Sequence, residues 1–92
     1  MIVSYANRAT ERFAEEGKSK FSGMEVAKAY ARLKILKVAR TVEDIPPLSS
    51  IGLHALKGNR QGQWAMTING PWRLVFRLED GNAHDVEIVD YH

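Results

Sequence analysis

From Gln63 onward, apolar side chains fall at every second position in three short runs, and this period of two narrows the choice of fold more than anything else in the chain. The runs are Trp64, Met66 and Ile68, then Trp72, Leu74, Phe76 and Leu78, then Val86 and Ile88. Successive side chains of an extended strand point to opposite faces, so each run builds one apolar face. Asn69-Gly70-Pro71 and Asp80-Gly81-Asn82 separate the runs, and Gly and Asn accept the positive φ of tight turns. The pattern predicts a three-stranded antiparallel meander. Keeping the apolar faces together pairs Arg77 with Asp85 and sets Arg73 opposite Val89, diagonal to Glu87 and Tyr91. Thr67, Arg73, Arg77, Glu87 and Tyr91 then share the other, open face.

The first half of the chain follows a helical period instead. Met1 to Tyr5 reads as an edge strand, and Asn7 can cap a helix that closes near Gly17. Ser22-Gly23-Met24-Glu25 has the form of a capping box, with Phe21 and Val26 placed for a hydrophobic staple. The helix it opens should reach about Arg40, keeping Val26, Tyr30, Leu33 and Leu36 on the core. Thr41 to Asp44 can add one turn, Pro46-Pro47 ends any helix, and an irregular connection runs to Gly62. The expected architecture is α+β, in the order βααβββ, with two N-terminal helices packed on one face of an antiparallel sheet. At 92 residues this makes one domain, residues 1–92.

Charge is spread unevenly. Residues 18 to 40 hold Lys18, Lys20, Lys28, Arg32, Lys34, Lys37 and Arg40 against one acid, Glu25, whereas residues 79 to 92 hold five acids and no Lys or Arg. Any one of these lysines reads as part of a solvated helix face, but the seven cations together fit a polyanionic partner. There is no Cys, which excludes a disulfide framework and thiolate metal sites and fits a reducing cytosol. No apolar run approaches the ~20 residues of a membrane span, so neither a membrane location nor secretion is expected.

The open face and the loop Gly52-Leu53-His54-Ala55-Leu56-Lys57-Gly58 carry the residues with chemistry to offer. Arg77 has Asp85 for an ion pair, while Arg73 has no acid directly opposite, which leaves its fork for a phosphate. His54 can titrate near neutrality and Lys57 can hold an anion. Val86, Ile88 and Val89 extend the alternation almost to Asp90-Tyr91-His92, which should hold this triplet against the sheet. Metal-free RNA cleavage needs a base for the 2′-hydroxyl, an acid for the 5′-oxygen and cations for the phosphorane charge, and His54, Tyr91, His92, Asp90, Lys57 and Arg73 supply those types. His54, His84, His92 and Asp90 form no compact zinc motif, and Gly58-Asn59-Arg60-Gln61-Gly62 lacks the Lys-Ser/Thr of a phosphate-binding loop, so no metal and no cofactor is expected.

The stretch Leu53-His54-Ala55-Leu56-Lys57-Gly58-Asn59, then Trp64, Ile68-Asn69-Gly70, Trp72-Arg73-Leu74-Val75-Phe76-Arg77, Gly81 and Asp85 through His92 resembles the HigB-type toxins of the RelE superfamily, the plasmid-maintenance killer proteins. The resemblance implies a RelE-like fold and a toxin that cleaves mRNA in the A site of the 30S ribosomal subunit, inhibiting translation. It implies neutralisation by a helix-turn-helix antitoxin of the HigA type, in a toxin-antitoxin heterotetramer. Position by position it assigns His54, Asp90, Tyr91 and His92 to catalysis, and Lys57, Arg73, Arg60 and Asn69 to phosphate or RNA. Lys18, Lys20, Lys28, Arg32 and Lys37 would meet ribosomal RNA, whose phosphates favour Lys and Arg.

Two other classes of function are compatible with so small a basic domain. One is a non-enzymatic toxin like ParE, which shares the fold and acts on DNA gyrase; Tyr91-His92 argues against it, because an inhibitor has no need of proton-transfer groups there. The other is a simple nucleic-acid-binding domain, which the lack of an aromatic stacking platform disfavours.

Overall fold

A computed structural model describes residues 1–91. Helix α1 spans Arg8–Glu16 and helix α2 Val26–Val38; strands β1 (His54–Ala55), β2 (Trp64–Asn69), β3 (Trp72–Glu79) and β4 (Asn82–Asp90) form one antiparallel sheet in the order β1-β2-β3-β4. The expected α+β layout holds, with α1 over β4 and α2 over β2 and β3. Met66, Ile68, Leu74, Phe76, Val86 and Ile88 face Phe13, Ala29, Leu33 and Leu36 of the helices, all buried. Each fully buried Leu or Phe contributes roughly 1.5–3 kcal/mol relative to exposure, so this seam dominates stability.

Local signals explain α1. The Asn7 side chain accepts from the Thr10 amide at 2.9 Å, and Gly17 closes the helix in the left-handed region, its N–H donating to the Phe13 carbonyl at 3.1 Å. Thr10 is fully buried because its hydroxyl accepts from the Ile88 amide at 3.0 Å, fastening the helix to the outer edge of β4. Tyr30 of α2 stacks on Phe13 with ring centroids 4.6 Å apart and donates its hydroxyl to the Phe13 carbonyl.

The capping box at Ser22 does not form, because a distant side chain takes its place. The Glu25 amide that Ser22 was to receive donates instead to Asn69 Oδ1 at 2.8 Å, and α2 begins at Val26. Phe21 packs edge-on against Trp72, and Val26 stays exposed, so the staple is absent as well. The buried stripe of α2 is Ala29, Leu33 and Leu36, displaced from the expected Val26 and Tyr30. The extra turn after α2 is present as a single 3-10 turn, Val42–Asp44. Asp44 Oδ2 accepts there from the amides of Arg40 and Thr41, which hold its carboxyl below the ordinary range.

Met1 to Tyr5 is not a continuous strand. It lies parallel to β4 and touches it through two bridges, Ile2 to Ala83 and Tyr5 to Val86. The reason is a bulge in β4, where the register slips between Val75 and Arg77 and Asp85 takes a φ of 51°; its amide turns to the Ser4 hydroxyl at 2.9 Å instead of a backbone carbonyl. Beside it, Tyr5 donates to Glu15 Oε2 at 2.7 Å, and burial with the adjacent acids pushes its phenol well above the ordinary value.

Candidate functional site

The connection expected to be irregular contains the strand that carries His54. Ile51 accepts the Thr67 amide at 2.6 Å, and β1 then pairs His54 with Ala65 and Ala55 with Trp64. Gly52 makes this crossing possible: its φ is 57°, and a Cβ there would stand 2.9 Å from Thr67 Oγ1. His54 is exposed, with Nδ1 3.1 Å from the Gly52 carbonyl. A carbonyl can only accept, so this contact calls for the proton on Nδ1 and leaves Nε2 for another partner. The sequence showed the histidine but not this partner, because a backbone carbonyl leaves no mark in residue types.

Cross-strand register places His54, Ala65, Val75 and Glu87 in one row on the face away from the helices, with Thr67, Arg73 and Val89 in the next. Tyr91 lies one step further on the same side, with its amide bonded to the Pro71 carbonyl at 2.7 Å and its side chain partly exposed. This face is less open than the alternation implied. Ala65 and Val75 have no exposed surface, and Arg60 reaches from the loop before β2 to Glu87, at 3.2 Å, and also donates to Gln63.

Ion pairing sorts the cations of this face. Arg77 donates through Nε and Nη2 to Asp85 Oδ2 and through Nη1 to Glu79; the expected Arg77–Asp85 contact forms, but the bulge puts His84 and not Asp85 opposite Arg77 in the ladder. Arg60 is committed to Glu87. Among the described residues neither Arg73 nor Lys57 has an ion pair, so the positive charge left for a ligand lies there. Arg73 is not loose, because its Nη1 donates to the carbonyls of Gly70 at 2.6 Å and Trp72 at 2.9 Å.

Several expected site residues stand elsewhere. Asp90, expected to orient an imidazole or act as the base, is the register partner of Trp72, which places it on the helix side of the sheet. Asn69 accepts from the Glu25 amide and donates to the Gly23 carbonyl, so it braces the start of α2. Arg32 donates Nε to the Thr67 carbonyl at 2.7 Å and Nη2 to the Ser50 carbonyl at 3.0 Å, bracing the chain in front of β1. Lys18, Lys20, Lys28 and Lys37 are exposed, with Lys18 near Glu16 at 3.6 Å and Lys28 near Glu25 at 3.3 Å. His92 lies outside the described residues.

His54, Lys57, Arg73 and Tyr91 do not hydrogen-bond one another. Ordinary sheet spacing puts the Cα atoms of His54 and Arg73 about 12 Å apart, a gap for a ligand to fill. A groove of about 610 Å³, walled by Ile45, Pro46, Pro47 and Leu48, opens onto Gly52 and Leu53 beside it. No helix among the described residues is long and apolar enough to cross a membrane.

Comparison with known proteins agrees with this layout. Over its whole length the chain is 29% identical to Endoribonuclease HigB of Proteus vulgaris, and it covers all of that protein. Its backbone is similar to a crystal structure of a histidine-to-glutamine mutant of YafQ from E. coli, with a TM-score of 0.63 and 14% identity over 98% of this chain and 93% of the other. The HigB-like toxin model, described as RelE-like toxin of type II toxin-antitoxin system HigB, matches residues 3–92. The chain therefore belongs to the HigB-like family of RelE-like type II toxins.

Proposed function

We propose that this toxin is a ribosome-dependent endoribonuclease that cuts mRNA in the A site of the 30S subunit without a metal, by attack of a 2′-hydroxyl on the adjacent phosphorus. The observation that carries this reading is the 3.1 Å contact of His54 Nδ1 with the Gly52 carbonyl. With Nδ1–H held by the Gly52 carbonyl, Nε2 offers a lone pair on the face that also bears Arg73 and Tyr91. Nε2 takes the 2′-hydroxyl proton as the oxygen bonds to phosphorus; the P–O5′ bond breaks, and Tyr91 or the following His92 protonates the departing 5′-oxygen. The products are a 2′,3′-cyclic phosphate and a 5′-hydroxyl. Arg73, fixed by two carbonyls, and Lys57 lie where they can meet the charge that builds on the phosphorane. The relative named Endoribonuclease HigB supports RNA cleavage as the activity.

The exposed Lys28 and Lys37 then face ribosomal RNA, and the natural inhibitor is a helix-turn-helix antitoxin of the HigA type, assembled with the toxin as a heterotetramer in the cytoplasm. The test is cleavage of mRNA on programmed ribosomes, with an RNA whose scissile 5′-oxygen is replaced by sulfur. Tyr91→Phe should lose about a hundredfold in rate on normal RNA and recover on the sulfur substrate, whose thiolate leaves without an acid. His54→Gln should lose as much and not recover. An intact message at toxic concentrations would overturn the proposal.

A further inference from the structure

We infer that Arg8, Arg12, Lys18 and Lys20 form a second RNA-binding site, a pocket for one backbone phosphate on the flank of the helical layer. The inference rests on the ribonuclease reading, since a protein that cuts RNA must hold the strand on either side of the cut. Arg8, Ala9 and Arg12 lie along one side of α1, and the chain turns back after Gly17 so that Lys18, Ser19 and Lys20 close over that side. The cavity between them holds about 260 Å³. Charge is segregated around the helix: the acids Glu11 and Glu15 line a different cavity beside Tyr5, and Glu16 meets only Lys18, at 3.6 Å.

Arg12 points to what belongs in the pocket. Its Nε is shielded from solvent and has no hydrogen-bond partner among the described residues, in a protein whose other buried side-chain polar atoms are paired. A guanidinium N–H taken out of water demands an acceptor, and a phosphate oxygen matches its planar fork while its charge is attracted by Arg8, Lys18 and Lys20. Placement selects an RNA backbone as the source. Lys20 is followed by Phe21, which packs edge-on against Trp72 at 5.5 Å, and Trp72 is paired with Asp90 next to Tyr91. The pocket and Tyr91 therefore lie at the same end of the sheet, on either side of its edge, within reach of one RNA strand.

The test uses the full chain labelled with ¹⁵N and a 2′-O-methyl oligonucleotide, which has no nucleophile and cannot be cut. The Arg12 Nε–Hε resonance should shift and saturate at a concentration at least about tenfold below that needed with inorganic phosphate. Arg12→Gln should weaken oligonucleotide binding about tenfold, the loss of one charge-assisted contact, and make the slope of log K against log salt shallower by about 0.7. Lys20→Gln, a change at an exposed position, should move both quantities in the same direction and serves if Arg12→Gln fails to fold. An unshifted Arg12 resonance at saturating oligonucleotide overturns the inference. Saturation by inorganic phosphate at an equal or lower concentration makes the pocket a free-phosphate site, and a response only to an acidic peptide makes it a protein contact; either overturns it too. Binding to uncut RNA is read independently of cleavage, so this site can fail while the ribonuclease reading stands.

Discussion

Arg60 Nη1 lies 3.2 Å from Glu87 Oε1, joining the loop before β2 to β4 across the buried side chains of Ala65 and Val75. Both partners are about a quarter to a third exposed, so water screens the attraction and the pair is worth roughly 1 kcal/mol. A double-mutant cycle with Arg60→Ala and Glu87→Ala, followed by urea unfolding, should give a coupling of that order that shrinks as salt is added. Additive effects of the two changes would show that the strap contributes nothing beyond its separate contacts.

Gly52 should tolerate no side chain. Alanine there meets Thr67 Oγ1 at 2.9 Å and sits at a φ of 57°, together worth about 2 kcal/mol of stability. Because the Gly52 carbonyl holds His54, Gly52→Ala should lose more activity than its unfolded fraction explains. Adding Thr67→Ala removes the contact but not the backbone strain, and should restore part of the lost stability in thermal melts.

Arg32 and Lys37 look alike in the sequence and should behave differently. Arg32→Ala leaves the Thr67 and Ser50 carbonyls without their charged donor and should cost roughly 1.5–3 kcal/mol. Lys37→Ala, at an exposed position, should stay within about 0.5 kcal/mol and instead weaken binding to ribosomes at low salt. Denaturation and ribosome pelleting on the same pair of variants check both halves.

Asp44 should give stability a step in acid. The Arg40 and Thr41 amides lower its folded-state pKa below 3.8, its ordinary value, so the ionised form is favoured by folding. That contribution is complete above pH 3.8 and disappears as the pH falls through the lowered value. The melting-temperature difference between the native chain and Asp44→Ala should therefore be constant near neutrality and close below pH 3.8. Carboxyl ¹³C titration should place the Asp44 midpoint below 3.8 directly.

The meander and its two turns were legible because each depends on residues close in sequence or on a period of two. Helix α1 was legible for the same reason, since Asn7 and Gly17 act within one turn of it. The Arg77–Asp85 contact was expected too, but it forms across a bulge that puts His84 opposite Arg77. Where a distant group competed, the local reading failed: Asn69 displaced the Ser22 capping box, and the bulge at Asp85 broke the ladder that Met1 to Tyr5 was expected to join. The short strand at His54 was invisible because two residues carry no period.

Residue types alone name the groups available for chemistry, namely His54, Lys57, Arg60, Arg73, Asp90 and Tyr91. Which of them share a face follows from the fold. Register sends Tyr91 and Arg73 to the side of His54 and Asp90 to the side of Trp72, and ion pairing takes Arg60 out of play while leaving Arg73 and Lys57. Residue types are local, but the hydrogen-bonding state of a side chain is set by whatever the fold brings within about 3 Å of it, and those neighbours come from strands far apart in the chain.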